Sequence, residues 1–231
     1  MLALKQALSL VSIKSLVGWS PLDESSLETF YKNKSGVEIT GSGVSQWDND
    51  KSGTTLNILQ PTDSERPTYE SSTGKLSFDP ASNQNLQLEV SEEIRLIGAL
   101  SIGIRTQIDA FNNVILGSNT LSHEFFKFTS SSAMVVKVDG VYVVLGLDSG
   151  TWSDSIRNLV ITRDGSNVWN LWVDGVQQAL TPTVAGTINF DAIGVRATDL
   201  NSFSGDIYEV QIFSSQSSSL TSNINERLSN L

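Results

Sequence analysis

The chain has 231 residues, enough to bury one sizeable core in a single large domain or a domain with small appendages. Its content is 39% hydrophobic and 17% charged with no cysteine, which suits many short strands joined by polar turns and excludes a disulfide framework or thiolate metal site. A formal net charge of −10, with no cluster of Lys and Arg, argues against a nucleic-acid partner, because phosphate binding needs concentrated positive charge.

In chain order, the first feature is an apolar stretch carrying Leu2, Leu4, Leu8, Leu10, Ile13 and Leu16. Lys5 and Lys14 interrupt it and no small-x-small cleavage site follows, so it reads as an ordered arm and not as a secretory leader. Its side chains would pack back on the domain or dock on a neighbouring subunit. Nowhere does the chain approach the roughly 18 consecutive apolar residues of a membrane span. Next, Pro21-Leu-Asp-Glu-Ser-Ser-Leu-Glu28 carries helix-start chemistry, with Asp23 or Ser25 as N-cap, and predicts a short helix through Phe30 and Tyr31. Residues 1–35 are therefore expected to form a docking arm with a short helix.

From Val37 onward short apolar runs alternate with Gly, Asn, Asp and Ser. Two hairpins are explicit: Met134–Val138 with Val141–Leu145 across Asp139-Gly140, and Val168–Val173 running through Asp174-Gly175 to Val176. Asp-Gly between apolar runs supplies the positive φ angles of tight hairpin turns. A third connection, Arg163–Asn167, joins Asn158–Thr162 to the Trp169 strand. Further strands are predicted at Lys75–Phe78, Leu86–Val90, Ala99–Thr106, Asn113–Leu116, Glu124–Phe128, Ile188–Val195 and Gly205–Phe213. No crossover helices separate them, so an antiparallel sandwich or jelly roll is expected over residues 36–219. Residues 220–231 place Ile224, Leu228 and Leu231 on one stripe of a terminal helix, expected along the sandwich edge.

A series of motifs in chain order carries a family resemblance. Val44-Ser-Gln-Trp-Asp-Asn-Asp-Lys-Ser-Gly53 is followed by Arg66-Pro-Thr-Tyr69 and Gly74-Lys-Leu-Ser-Phe-Asp79. Later come Ile161–Gly165 with Leu171–Gly175, and then Phe203–Phe213. Over residues 35–231 this resembles the concanavalin A-like, laminin-G-like jelly-roll domains found in bacterial and phage proteins. The resemblance implies an all-β antiparallel jelly-roll sandwich with an N-terminal arm and a short C-terminal helix. It also implies glycan-binding, appendage or virion-structural roles. With the sandwich filling most of the chain, the leading expectation is a non-enzymatic phage virion surface protein: a capsid decoration, fibre or tail component bound to other virion proteins or to itself. The alternative is an extracellular carbohydrate-binding, lectin-like module that meets cell-surface glycans.

Glucanases of this jelly roll use a Glu-x-Asp-x-(x)-Glu strand, and no such run exists here; Glu89-Val-Ser-Glu-Glu93 has the wrong spacing. His123 is the sole histidine and no Gly-x-Ser-x-Gly elbow accompanies it, so catalysis is not expected. No cofactor is expected, calcium being the one metal with any signal. Asp48, Asp50 and Ser52 match the opening of a calcium loop, but Leu59 stands where the bidentate Glu belongs. Asp139, Asp174 and Asp206 are a second calcium possibility, two of them already explained by hairpin turns. For a glycan, Trp152 flanked by Asp148 and Asp154 offers an aromatic platform with hydrogen-bonding neighbours. Trp47, Trp169 and Trp172 fall on strand-like or turn positions. Trp169 and Trp172 lie three apart, so a regular strand points them to opposite faces and leaves one less buried, against the arm or a partner. Glu209 is expected to be partly buried in the last strand and paired with Arg163 or Arg196.

Overall fold

The computed structural model describes residues 18–89, 91–118, 125–147, 155–196 and 201–231. The chain enters through a single 3₁₀ turn, Pro21–Asp23, capped by Ser20. Strands β1 (Leu27–Tyr31), β2 (Val37–Thr40), β3 (Gly43–Trp47), β4 (Ile58–Leu59) and β5 (Thr68–Glu70) follow. Next come β6 (Lys75–Phe78), β7 (Leu86–Gln87), β8 (Ile94–Ile97), β9 (Leu100–Ile108) and β10 (Val114–Gly117). The central hairpins use β11 (Phe125–Ser130), β12 (Ala133–Val138), β13 (Val141–Gly146), β14 (Ile156–Arg163), β15 (Trp169–Val173) and β16 (Val176–Gln177). The chain closes with β17 (Thr187–Phe190), β18 (Ala192–Ile193), β19 (Gly205–Phe213) and helix α1 (Ser218–Ser229).

Every strand pairing among the described residues is antiparallel, as the absence of crossover helices required. One sheet runs β16-β15-β14-β9-β19-β6-β5, with β1 also paired to β19. The second runs β13-β12-β11-β10-β18-β7-β4-β3-β2, and β17 pairs with β8 apart from both. Alternate residues of the two large sheets meet in one core that includes Trp47, Ile102, Ile104, Phe126, Trp169 and Ile212. The fold is an antiparallel β-sandwich.

A second, smaller core lies on the outer face of the first sheet. There Leu27, Phe30, Val160 and Phe213 meet Leu220, Ile224 and Leu228 of α1. The helix thus lies across the sheet face and not along the sandwich edge. Its buried stripe is Leu220, Ile224 and Leu228, while Leu231 is exposed. Gly103 in β9 makes this approach possible: a Cβ there would collide with the Ile224 side chain. Ser217 caps α1 by accepting from the Leu220 amide at 3.1 Å.

Several expectations need correction. Residues 27–31 form strand β1, not a helix, although the Ser20–Asp23 capping box does form. Pairing with β19 places Leu27 and Phe30 under α1 and Tyr31 in the main core, and that burial outweighs local helix preference. The predicted strand 188–195 divides at Asp191: β17 pairs with β8, while β18 joins the nine-stranded sheet. The turns across Asp139-Gly140 and Asp174-Gly175 match expectation, with φ of 47° and 80°, then 48° and 81°.

Candidate functional site

Strand alternation sorts the tryptophans. In β15, Trp169 is fully buried in the main core, and Trp172 faces outward, half-buried beside the helix-covered cluster. Where α1 leaves the sheet, a groove of about 700 Å³ opens beside Trp172. Asn158, Asp174, Ser222, Asn225 and Glu226 share its walls. The groove pairs one aromatic wall with amide, hydroxyl and carboxylate groups, and no Lys or Arg lines it.

The indole N–H groups distinguish Trp172. Trp19 donates to Glu24 Oε1 at 2.8 Å, Trp47 to the carbonyls of Lys32 and Ser35 at 3.2 and 3.1 Å, and Trp169 to the Val184 carbonyl at 2.9 Å. Among the described residues that of Trp172 has no partner. Across the groove, Asn225 donates from Nδ2 to the Thr221 carbonyl at 3.0 Å, but its Oδ1 is buried without a donor. An indole N–H without a protein partner therefore borders the groove. The floor is stiff: Asp174 accepts from Arg157 Nη1 at 2.8 Å and from the Asn158 amide at 2.9 Å, which holds the hairpin end against β14.

The helix wall is held by an ion pair. Glu209 in β19 is fully buried, and Arg227 of α1 grips it from Nε at 2.6 Å and from Nη2 at 2.8 Å. Gln211 Nε2 and the Asn33 amide add donors at 2.7 and 3.1 Å. The expectation of a buried, structural Glu209 holds; its partner is Arg227, not Arg163 or Arg196. Arg163 instead donates to the carbonyls of Gly98 and Gly186 and lies 5.0 Å over the Trp169 ring. Arg196 lies over Phe125, far along the other sheet.

Trp152, Asp148, Asp154 and His123 lie outside the described residues, as do Leu2, Leu4, Leu8, Leu10, Ile13 and Leu16 of the arm. The calcium-like segment is a braced turn. Asp48 accepts from Gln46 at 2.6 Å, Asp50 pairs with Lys32 at 3.5 Å and accepts from Ser35 at 3.3 Å, and Ser52 is exposed. Asn49 ties the turn to the Phe30 amide at 2.8 Å. Asp139 accepts from the Thr187 amide, Asp174 binds Arg157, and Asp206 pairs with Lys75 at 3.2 Å, so each serves a different contact. Among the described residues no group of three His, Asp or Glu is placed to hold a metal. No described helix is long and apolar enough to cross a membrane.

The sequence indicated only that one of Trp169 and Trp172 would be less buried, not which of the two. The groove partners of Trp172 sit on β14 and on the polar side of a helix some 50 to 70 residues later, a juxtaposition that no local spacing encodes.

No protein-family model matches the sequence, and no curated protein matches it significantly. Solved structures do share the fold. Trypanosoma rangeli sialidase in complex with sialic acid superposes with a TM-score of 0.57 at 12% identity, over 90% of this chain and 33% of the sialidase chain. The ligand-binding domain of botulinum neurotoxin serotype D in complex with N-acetylneuraminic acid gives 0.55 at 14% identity, over 91% and 53%. This chain therefore spans about a third of the sialidase and about half of the toxin chain. At such identities the likeness is one of fold, and it places the chain among antiparallel β-sandwiches.

Proposed function

We propose that this protein is a non-catalytic, lectin-like carbohydrate-binding module that holds a neutral glycan in the groove beside Trp172. The observation that carries the reading is the half-buried indole with an unengaged N–H, set in a wall of hydroxyl and amide groups. An aromatic face takes the apolar side of a pyranose, while neighbouring polar groups exchange hydrogen bonds with its hydroxyls. The fold-similar structures hold sialic acid and N-acetylneuraminic acid, which supports a carbohydrate ligand in general and not its charge. The groove carboxylates favour a neutral sugar over an acidic one, and Asp174 is already committed to Arg157. Assembly onto a virion through the Leu2–Leu16 arm is the other expectation; it rests on residues outside the described set, and the groove favours the glycan reading.

Retention of the full chain on an array of neutral glycans tests the proposal. Trp172→Ala is expected to weaken retention at least about tenfold, the equivalent of roughly 1.4 kcal/mol. Asn225→Ala should weaken it by less, and Trp172→Phe should keep part of it. Thermal unfolding of each variant separates a lost contact from a lost fold. A parent protein that retains no neutral glycan, or a folded Trp172→Ala variant that binds unchanged, overturns the reading.

A further inference from the structure

The face of the nine-stranded sheet turned away from the main core carries an unusual charge arrangement. Phe126 and Phe128 point into that core, so Phe125 and Lys127 lie on the outer side of β11. Phe125 is fully buried there with Val114 and Val135. Its cover is cationic: Lys127 Nζ lies 5.4 Å from the ring centroid, Lys137 Nζ 5.9 Å and the Arg196 guanidinium 4.8 Å. Tyr142 meets the same ring edge-on at 6.2 Å, stands 58% exposed, and has Lys137 Nζ 4.9 Å from its own centroid.

Among the other described cations, Lys32, Lys51, Arg66, Lys75, Arg157 and Arg227 each pair with Asp or Glu. Neither Lys127 nor Lys137 makes an ion pair among the described residues. Burial, and then the charges of Arg196 and Lys137, push the Lys127 ammonium below the usual lysine range. Like charges held together around an aromatic ring cost free energy, and a bound oxyanion removes that cost.

We infer that Lys127, Lys137 and Tyr142 form a site for an acidic sugar, a pyranose bearing a carboxylate or sulfate. The two ammonium groups donate to the oxyanion, and the exposed Tyr142 ring takes the apolar face of the sugar. This inference rests on the reading of the chain as a glycan-binding module, yet it uses the opposite side of the sandwich from α1.

The test is titration of the full chain with 3′-sialyllactose, 3′-sulfolactose and lactose at fixed ionic strength, followed by the ring resonances of Phe125 and Tyr142. Both acidic sugars are expected to shift these resonances, lactose to leave them in place, and affinity to fall as salt is raised. The double variant Lys127→Gln with Lys137→Gln keeps the aliphatic stems and should lose at least about tenfold in affinity for the acidic sugars. Neutral-glycan retention in the groove should survive this change, and Trp172→Ala should spare the acidic-sugar response. Acidic sugars that shift neither ring, or a double variant that binds as the parent does, overturn the inference. Inorganic sulfate acting as strongly as sulfolactose overturns its sugar part. If the parent retains no neutral glycan but answers to acidic sugars at Phe125, the groove reading falls and this one stands.

Discussion

Arg227→Ala is expected to destabilise the protein by about 3 kcal/mol, because it strands a fully buried carboxylate. Glu209 would keep only the Gln211 amide and the Asn33 backbone N–H as donors. The lost side chain also covers Phe30, 4.8 Å from the guanidinium, so some packing goes with the charge. Urea unfolding at neutral pH provides the measurement. Adding Glu209→Gln to Arg227→Ala should recover part of the loss, since a buried neutral amide is far less costly than an unpaired carboxylate. Replacing both by Met and Leu should fall within about 1–2 kcal/mol of the parent, since a buried ion pair roughly balances its own desolvation. A single variant as stable as the parent would show that α1 is held by its leucines alone.

Gly103→Ala should cost about 1–3 kcal/mol, a large effect for one methyl group. β9 lies at the centre of its sheet, between β14 and β19, so Gly103 cannot retreat when Ile224 presses on it. The helix must lift or shift, and the groove beside Trp172 changes shape with it. Reduced neutral-glycan retention is therefore expected from a substitution that touches no groove residue. Adding Ile224→Ala removes the colliding side chain and should make the combined cost smaller than the sum of the two singles. Strict additivity in that cycle would place the helix elsewhere on the sheet.

Much of the sandwich was legible because its strands carry their own signals. The Asp-Gly turns set hairpin register directly, since only residues tolerant of positive φ occupy those positions. β19 matched its expected span residue for residue, its apolar and aromatic content being high along its whole length. Strands β2, β3, β4, β5 and β8 escaped notice: four of them are runs of two to four residues with too little periodicity to read, and β3 lies in a segment that reads as a turn. β1 was misread for a different reason: Ser20, Pro21 and Asp23 do start a helical turn, but only the stretch of β19 beyond its pairing with β6 makes an extended chain preferable from Leu27 on.

The site was less legible than the fold. That Trp169 and Trp172 face opposite ways follows from strand geometry alone, and so does the burial of one of them. Which side chain stands across from Trp172 depends on where α1 lies. Gly103 settles that position by leaving room in β9, and Glu209 settles it by binding Arg227. The cation ring around Phe125 is likewise a product of register, since Lys127, Lys137 and Arg196 come from three separate segments.

Composition, turn residues and apolar alternation thus determined that this chain folds as an antiparallel sandwich with a terminal helix, because those signals act between neighbours in sequence. The groove beside Trp172 and the partner of Glu209 were decided only by tertiary structure. Packing of a helix against a sheet depends on steric fit and charge pairing between residues far apart in the chain, which local pattern does not record.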